Sequence, residues 1–221
     1  KELEEYFKGK SVAIIAPSPD LIDQNKGTEI DQYDIVCKVG EMFTINDPIN
    51  YGQKCDVLFL GCFPNMEKQY GDNKSHNIEN INKIKPTRII CPIKPCMPGI
   101  LDVHKKDIWG HYNYLKKNMS HIKFNNIGLL SCDFDNTYKT RATLGSFAIN
   151  FLLKQDLKKL GIYGFTWYKT SGYHPTYGQS KIGSHGFPHD IEIKGIKKEI
   201  SNSNLEILLN DEVKNILNVI N

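Results

Sequence analysis

The chain has 221 residues, of which 40% are hydrophobic and 24% charged, and a formal net charge of +3. This length and composition predict one folded domain spanning residues 1–221 and exclude general disorder. The net charge is too small to indicate a nucleic-acid partner, so we expect none. No apolar run reaches the roughly 18–20 residues that a bilayer span needs, and no signal peptide is evident. Because the chain starts at Lys1, we expect that an N-terminal segment has been trimmed.

The six cysteines show no metal-binding spacing. None forms a Cys-x-x-Cys pair, and the spacing of a zinc ribbon is absent. Most fall in or beside predicted strands, where cysteine behaves as a small buried hydrophobe. We therefore expect mostly free thiols in a reducing, cytoplasmic compartment. The cysteines are Cys37, Cys55, Cys62, Cys91, Cys96 and Cys132.

Apolar strand patterns alternate with helical patterns along the whole chain. The first strand is apolar on both faces, as expected at the centre of a parallel sheet. The alternation predicts an α/β fold with one doubly wound, mostly parallel sheet. Predicted strands cover 11–16, 34–39, 56–60, 88–91, 160–165 and 205–208, with one strand or two short ones in 122–130. Predicted helices cover 1–8, the region around 78–84, 109–117, the stretch from 143 to the Lys158-Lys159 pair, 190–200 and 211–220.

The segment 141–177 reads as a turn, a helix, a strand and a polar loop. Thr143, Leu144, Gly145 and Ser146 open the helix with small and hydroxyl residues. Unpaired backbone N–H groups and the helix dipole at such a start suit an anion such as phosphate. The polar loop follows the carboxyl end of a strand, where open α/β sheets bind ligands. An ordinary core unit with a solvated loop remains the alternative.

Three histidines follow this unit at positions 174, 185 and 189. A histidine that titrates near neutral pH can take a proton from a hydroxyl nucleophile or stabilise a phosphate leaving group. Glu192 or Asp190 could orient the imidazole of His189. An exposed loop histidine is the alternative reading. A zinc site made by all three lacks a helical His-x-x-x-His pair or a cysteine partner.

Other nucleotide-binding motifs are absent or weak in this sequence. The glycine-rich fingerprints of dinucleotide-binding and P-loop proteins are missing. Asp133 and Asp135 flank Phe134 in an Asp-x-Asp pattern, which metal-dependent glycosyltransferases use on a nucleotide diphosphate. Such pairs are common in loops, so the pattern is a weak indicator.

In order and spacing, several segments together resemble the four motifs of the Golgi-type sialyltransferases, glycosyltransferase family twenty-nine. The large sialyl motif is resembled by residues 11–21, 27–31 and 33–36, with 51–52 and 56–58 at its end. The small motif is resembled by 143–148 with 160–165. Gly172-Tyr173-His174 with Tyr177 resembles the third motif, and His189-Asp190 with Glu192 the very small one. Residues 61–140 match none of them. The chain thus looks like a divergent, soluble member of that family.

The resemblance implies an inverting, metal-independent glycosyltransferase of glycan biosynthesis on a Rossmann-like fold. It would move a sialic-acid-like residue (a nonulosonic or keto-sugar acid) from a CMP-sugar donor to the hydroxyl of a glycan or glycoconjugate. The resemblance implies no cofactor and no metal. According to the resemblance, the protein would contact a membrane only through a removed N-terminal segment or through a lipid-linked acceptor. With such an anchor the Golgi replaces the cytoplasm as the expected compartment.

The resemblance also assigns roles to residues. His189 would be the general base, supported by Glu192, and His174 would face the CMP phosphate. A second bacterial sialyltransferase family places its base a few residues before an Asp-Ile pair, which nominates His185 instead. The implied substrate and nucleotide contacts are Ala16, Pro17, Ser18, Lys38, Gly40, Thr143, Leu144, Gly145, Ser146, Phe165, Thr166, Tyr173 and Tyr177.

Several positions depart from the family pattern. Pro17 and Gly40 stand where the family usually carries donor-contacting asparagines, and Leu144 replaces a hydroxyl residue. The cysteine that normally staples the small motif is absent, which agrees with a reducing compartment. Two alternatives therefore stay open: a non-catalytic module that binds a sugar or nucleotide, and a transferase that uses a different nucleotide sugar.

Overall fold

The computed structural model describes residues 1–40, 45–62, 78–93, 102–140, 142–170 and 189–219. The strands are β1 (Ser11–Ile15), β2 (Ile35–Val39), β3 (Val57–Phe59), β4 (Arg88–Cys91), β5 (Lys123–Asn126), β6 (Lys159–Tyr163) and β7 (Glu206–Leu209). The helices are α1 (Glu2–Phe7), α2 (Gly27–Asp31), α3 (Pro48–Tyr51), α4 (Ile78–Ile84), α5 (Asp102–Asn118), α6 (Gly128–Tyr138), α7 (Leu144–Leu153), α8 (His189–Asn202) and α9 (Asp211–Val219). Among these helices, none is both long and apolar enough to cross a bilayer.

The strands of the described ranges form one seven-stranded sheet in the order β5-β4-β3-β2-β1-β6-β7. Every neighbouring pair is parallel. This confirms the predicted α/β class and the doubly wound sheet. From β1 the chain builds outward to β5 on one side, then returns to add β6 and β7 on the other. The winding direction therefore reverses between β1 and β6, and ligands of such sheets bind at the carboxyl ends beside that reversal.

Helices cover both faces of the sheet, and the central strand shows why. All five residues of β1 are buried. Val12 and Ile14 pack into the cluster that contains Phe147 of α7, whereas Ala13 and Ile15 pack into the cluster on the opposite face. A strand buried on both sides needs an unbroken apolar run rather than an alternating one, as its sequence shows.

The predicted end of α7 is wrong. We expected this helix to run to the Lys158-Lys159 pair, but it ends at Leu153. The chain turns there, and the backbone N–H of Lys158 donates to the carbonyl of Lys10 at 2.9 Å. Lys159 is the first residue of β6 and pairs with Ser11. Pairing with β1 thus draws these lysines into the sheet, a contact that local sequence does not reveal.

The prediction of strand structure throughout 122–130 is also wrong. Strand β5 ends at Asn126, and helix α6 begins at Gly128. The carboxamide oxygen of Asn126 accepts the backbone N–H of Gly128 at 3.0 Å and that of Ile93 at 3.0 Å. One side chain therefore terminates the strand, supports the first turn of α6 and ties both to the end of β4.

Most of the cysteine prediction is confirmed. Cys37, Cys55, Cys62 and Cys91 are buried free thiols. Cys132 in α6 is disulfide-bonded and is the exception among the described cysteines. The reducing compartment stays a prediction.

Candidate active site

The carboxyl ends of β1 and β6 meet at the reversal point of the sheet. Gly164 directly follows β6 with a φ of +70°, and a Cβ there would lie 2.7 Å from the carbonyl oxygen of Ala16. The backbone N–H of Ala16 donates to the carbonyl of Tyr163 at 3.0 Å. Only glycine allows this close approach. The structure thereby brings the predicted contacts Ala16 and Phe165 to one edge.

The turn after β1 is held from both sides. Ser18 accepts the backbone N–H of Asp20 at 3.2 Å, which caps a short 3-10 turn. The buried hydroxyl of Tyr51 donates to the carbonyl of Ser18. Pro17 lies buried between Ala16 and Ser18. These contacts fix the turn at the carboxyl edge of the sheet.

The end of β2 adjoins the start of α7. Gly40 has a φ of +61°, and a Cβ there would lie 4.0 Å from Cδ2 of Leu144. Lys38 precedes it, is 3% exposed and donates from Nζ to the carbonyl of Gly52 at 2.9 Å. Burial lowers the pKa of Lys38. Its ammonium already has a protein acceptor, so a role for Lys38 at a nucleotide stays a prediction.

Aromatic residues pack against the first turn of α7. A Cβ on Gly145 would lie 2.7 Å from Cε1 of Phe165, so glycine makes room for the ring. The indole N–H of Trp167 donates to Oγ of the buried Ser146 at 2.7 Å. Thr143 caps the helix by accepting the backbone N–H of Ser146 at 3.4 Å. These contacts fix the helix start against the loop that follows β6.

The start of α7 offers donors to an anion. Among the hydrogen bonds of the described residues, the backbone N–H groups of Leu144 and Gly145 have no protein acceptor. The first N–H groups of a helix lack intrahelical partners, and the helix dipole adds partial positive charge there. This geometry suits a phosphate.

A buried carboxylate links this helix start to His189. Glu192 is 0% exposed, and its Oε1 accepts the backbone N–H of Thr143 at 2.6 Å and the hydroxyl of Thr143 at 2.5 Å. Its Oε2 lies 3.2 Å from Nδ1 of His189. Thr143, Glu192 and His189 therefore form one hydrogen-bonded chain that joins α7 to α8.

The structure distinguishes between the two carboxylates proposed to orient the imidazole. Glu192 contacts His189, whereas Asp190 forms an ion pair with Lys169. The hydrogen bond from Lys169 is the main reason that the pKa of Asp190 lies below its ordinary value. Asp190 thus anchors the loop after β6 to the start of α8, and Glu192 is the orienting carboxylate.

This arrangement sets the protonation pattern of His189. A carboxylate can only accept, so the imidazole places its Nδ1–H towards Glu192. The basic lone pair of the neutral ring is then on Nε2. A histidine held in this tautomer can act as a general base, and the carboxylate stabilises the imidazolium that forms.

Sequence reasoning missed Tyr168. Its ring centroid lies 5.1 Å from that of His189, with the two planes at 38°. Trp167 and Tyr168 both have left-handed backbones, with φ of +46° and +59°. Residues other than glycine adopt this region at a cost, and such strain concentrates at functional sites. The available signal was the polar loop after β6, in which Tyr168 lies five residues past Tyr163.

Some candidates lie outside the described residues, namely His174, His185, Tyr173 and Tyr177. The two residues of the Asp-x-Asp pattern, Asp133 and Asp135, lie in α6. Asp135 accepts the backbone N–H of Ala142 at 2.8 Å, which ties α6 to the segment that precedes α7.

No family model and no curated protein matches the chain. Solved structures do match its fold. A mammalian sialyltransferase matches with a TM-score of 0.57 and 15% identity, over 90% of this chain and 69% of that one. The sialyltransferase CstII from Campylobacter jejuni, in complex with the substrate analogue CMP-3FNeuAc, matches with a TM-score of 0.57 and 15% identity. That match covers 94% of this chain and 84% of CstII.

A mammalian sialyltransferase in complex with Gal-beta-1-3GalNAc-ortho-nitrophenol also matches, with a TM-score of 0.56 and 15% identity. The match covers 93% of this chain and 71% of that structure. At these identities the likeness concerns the fold alone. The chain therefore shares its Rossmann-like α/β architecture with sialyltransferases of mammalian and bacterial origin.

Proposed function

We propose that the chain is a glycosyltransferase that moves a sialic-acid-like residue from a CMP-sugar to a glycan hydroxyl. The sugar is a nonulosonic or related keto-sugar acid, and the transfer inverts the anomeric centre without a metal ion. The fold shared with sialyltransferases supports this proposal, since one of them binds a CMP-sugar analogue and another a disaccharide glycoside.

The observation that carries the proposal is the hydrogen-bonded chain Thr143–Glu192–His189. It joins a histidine with an orienting carboxylate to a helix start that suits phosphate. A transferase with a phosphate leaving group needs a base for the attacking hydroxyl and a cradle for the departing charge. The two groups occupy the same edge of the sheet, beside the reversal point.

In the proposed reaction, Nε2 of His189 removes the proton of the acceptor hydroxyl. The acceptor oxygen forms a bond to the anomeric carbon while the bond from that carbon to the CMP phosphate oxygen breaks. CMP leaves with the electron pair of that bond. Attack from the face opposite the leaving group inverts the configuration. Glu192 stabilises the imidazolium through its contact with Nδ1.

The backbone N–H groups of Leu144 and Gly145 hold the phosphate in this proposal. Thr143 contributes indirectly, because both of its donors are taken by Glu192. It positions the first turn of α7 relative to His189. The turns at Ala16–Ser18 and at Gly40 form the nucleotide side of the site.

Calorimetric titration with CMP, CDP, UDP and GDP, each with and without Mg²⁺, tests the donor. We expect CMP to bind without Mg²⁺ and more tightly than the diphosphates. In thermal unfolding, a ligand at 100 times its Kd adds about 2.7 kcal/mol of stability, which provides an independent readout. Release of CMP from a CMP-sugar in the presence of a glycan acceptor then tests catalysis.

The other results favour the alternatives. A preference for a diphosphate, or a requirement for Mg²⁺, would indicate a different nucleotide sugar, to which Pro17 and Gly40 already point. Binding of CMP without its release from any CMP-sugar would indicate a binding module. Absence of binding across the panel would overturn the proposal.

A further inference from the structure

Two buried thiols meet at the carboxyl ends of β3 and β4. Sγ of Cys62 lies 2.9 Å from Sγ of Cys91, and both side chains are 0% exposed. Cys91 is the last residue of β4, and Cys62 lies three residues beyond the end of β3. The backbone N–H of Leu60 donates to the carbonyl of Ile90 at 3.0 Å, which continues the strand pairing towards both cysteines.

The backbone of Cys62 is unusual. Its φ is +55°, in the left-handed region that residues other than glycine rarely adopt. A cysteine there costs conformational energy that the surrounding packing must offset. In this conformation the Cys62 thiol lies against Cys91 and is buried from solvent.

Cys55 provides a contrast within the same core cluster. It is also a buried free thiol, but its Sγ donates to the carbonyl of Val57 at 3.6 Å. The thiol contact is therefore a property of the pair at positions 62 and 91, and burial of cysteines in this cluster does not by itself produce it.

We propose that Cys62 and Cys91 form a redox pair that a peroxide converts into an intramolecular disulfide. The first thiol attacks one peroxide oxygen, forming a sulfenic acid and releasing one water. The second thiol then attacks that sulfur and releases a second water. Each sulfur loses one electron, and both peroxide oxygens are reduced to water. A small dithiol reverses the change by thiol–disulfide exchange.

The surroundings determine the rate of this reaction. Burial, followed by the hydrogen bond with Cys62, raises the pKa of Cys91 well above its ordinary value. The thiolate is the reactive form, so attack of Cys91 on the peroxide is slow. The second step is fast by comparison, because the fold already holds the two sulfurs in contact.

The pair stands apart from the proposed transfer site. Strand β3 is two strands away from β1, roughly 10 Å at ordinary strand spacing. No residue assigned to donor binding or to the base is involved. The redox proposal can therefore fail or succeed independently of the transferase proposal.

The experiment treats the full chain with hydrogen peroxide, blocks the remaining thiols with iodoacetamide under denaturing conditions and maps tryptic peptides by mass spectrometry. We expect a linkage between Cys62 and Cys91 that dithiothreitol removes. Cys55 lies in the same tryptic peptide as Cys62, so Cys55→Ala serves as the matched control and should retain the linkage. Cys62→Ala and Cys91→Ala should each lose it. Fragmentation of the linked peptide distinguishes Cys91 from Cys96.

Three results would overturn the proposal. The first is that Cys62 and Cys91 remain free thiols in the folded chain, although the same peroxide dose links cysteines in the chain unfolded by guanidinium. The second is a linkage of Cys62 or Cys91 to another cysteine. The third is oxidation of either thiol to a sulfinic acid without any linkage. Because the wild-type map alone gives these answers, a variant that fails to fold leaves the test intact.

Discussion

Two edges of the same sheet use the same hydrogen-bond pattern for different purposes. At the amino edge, Oδ2 of Asp34 accepts the backbone N–H of Ser11 at 2.8 Å and its hydroxyl at 2.7 Å. At the carboxyl edge, Glu192 accepts the same two groups of Thr143 at 2.6 and 2.5 Å. Asp34 is exposed and joins the starts of β1 and β2, whereas Glu192 is fully buried and joins two helices.

The two carboxylates differ in what their second oxygen contacts and in how far they are exposed to solvent. Oε2 of Glu192 faces Nδ1 of His189, so the buried carboxylate contacts an imidazole as well as the helix cap Thr143. A carboxylate in water is screened, whereas one removed from water interacts more strongly with its neighbours. Asp34 and Glu192 accept the same pair of groups, but only Glu192 is buried and also contacts a histidine. Those two properties make Glu192 part of a candidate active site.

Replacement of the base should have the largest effect. We expect His189→Ala to reduce transfer by about 10²- to 10⁴-fold, because general-base catalysis contributes on that order. CMP affinity should be unchanged, since His189 acts on the acceptor. His121→Ala, at an exposed histidine, is the control. Initial rates and calorimetry provide the measurements, and full turnover by His189→Ala would transfer the role to His185.

Removal of the negative charge of Glu192 beside His189 should have the next largest effect. In Glu192→Gln the amide oxygen can still accept from Thr143, while the negative charge beside His189 is lost. A hydrogen bond to a charged group is worth about 1.5–3 kcal/mol. We therefore expect roughly a tenfold to hundredfold loss of kcat with an altered pH–rate profile. Asp34→Asn is the matched control at the other edge and should leave kcat unchanged; equal losses in the two variants would contradict this role of Glu192.

The close approach at Gly145 should be visible as a change in stability. In Gly145→Ala the new methyl group would displace the ring of Phe165, and such overpacking costs about 1–3 kcal/mol. Gly110→Ala in α5 is the control, because a Cβ there meets nothing within 4 Å and should stabilise the helix by up to about 1 kcal/mol. Urea unfolding measures both. A gain of stability in Gly145→Ala would show that the ring moves freely.

Loss of the hydrogen bonds between Asp34 and Ser11 should have the smallest effect, and this effect should depend on pH. Hydrogen bonds from Ser11 lower the pKa of Asp34 below its ordinary value of 3.8. The folded-state pKa is therefore below the unfolded one, so the stabilisation is present above pH 3.8 and is lost as the pH falls through the folded-state value. We expect Asp34→Asn to lower Tm at pH 7, with the difference closing on acidification. A difference in Tm that persists at the lowest pH would contradict the assignment.

The sequence predicted those helices and strands that are specified by their own residues rather than by distant contacts. The apolar run of β1, the hydroxyl cap at Thr143 and the start of α8 beside Asp190 all lie where expected, to within a residue or two. The predicted helix began at about residue 190 and left His189 outside it, whereas α8 begins at His189 and so includes both His189 and Glu192. The prediction of a single domain over 1–221 stays untested.

Elements that depend on distant partners were not predictable in this way. The first turn of α6 rests on the side chain of Asn126, which also holds the end of β4. The lysines at 158 and 159 resemble a helix end until their pairing with Lys10 and Ser11 is known. Tyr168 lies beside His189 in a stretch with a left-handed backbone, which local sequence does not reveal.

By itself, the sequence determined the α/β class, the order of the strands along the chain and the residue types at the candidate site. Hydrophobic periodicity and helix caps are local, so they can be read without a structure. Only the tertiary structure decided that Glu192 contacts Thr143, 49 residues away, and that it, rather than Asp190, faces His189. That choice depends on which carboxylate becomes buried when α8 packs against α7, and burial is a property of the assembled fold.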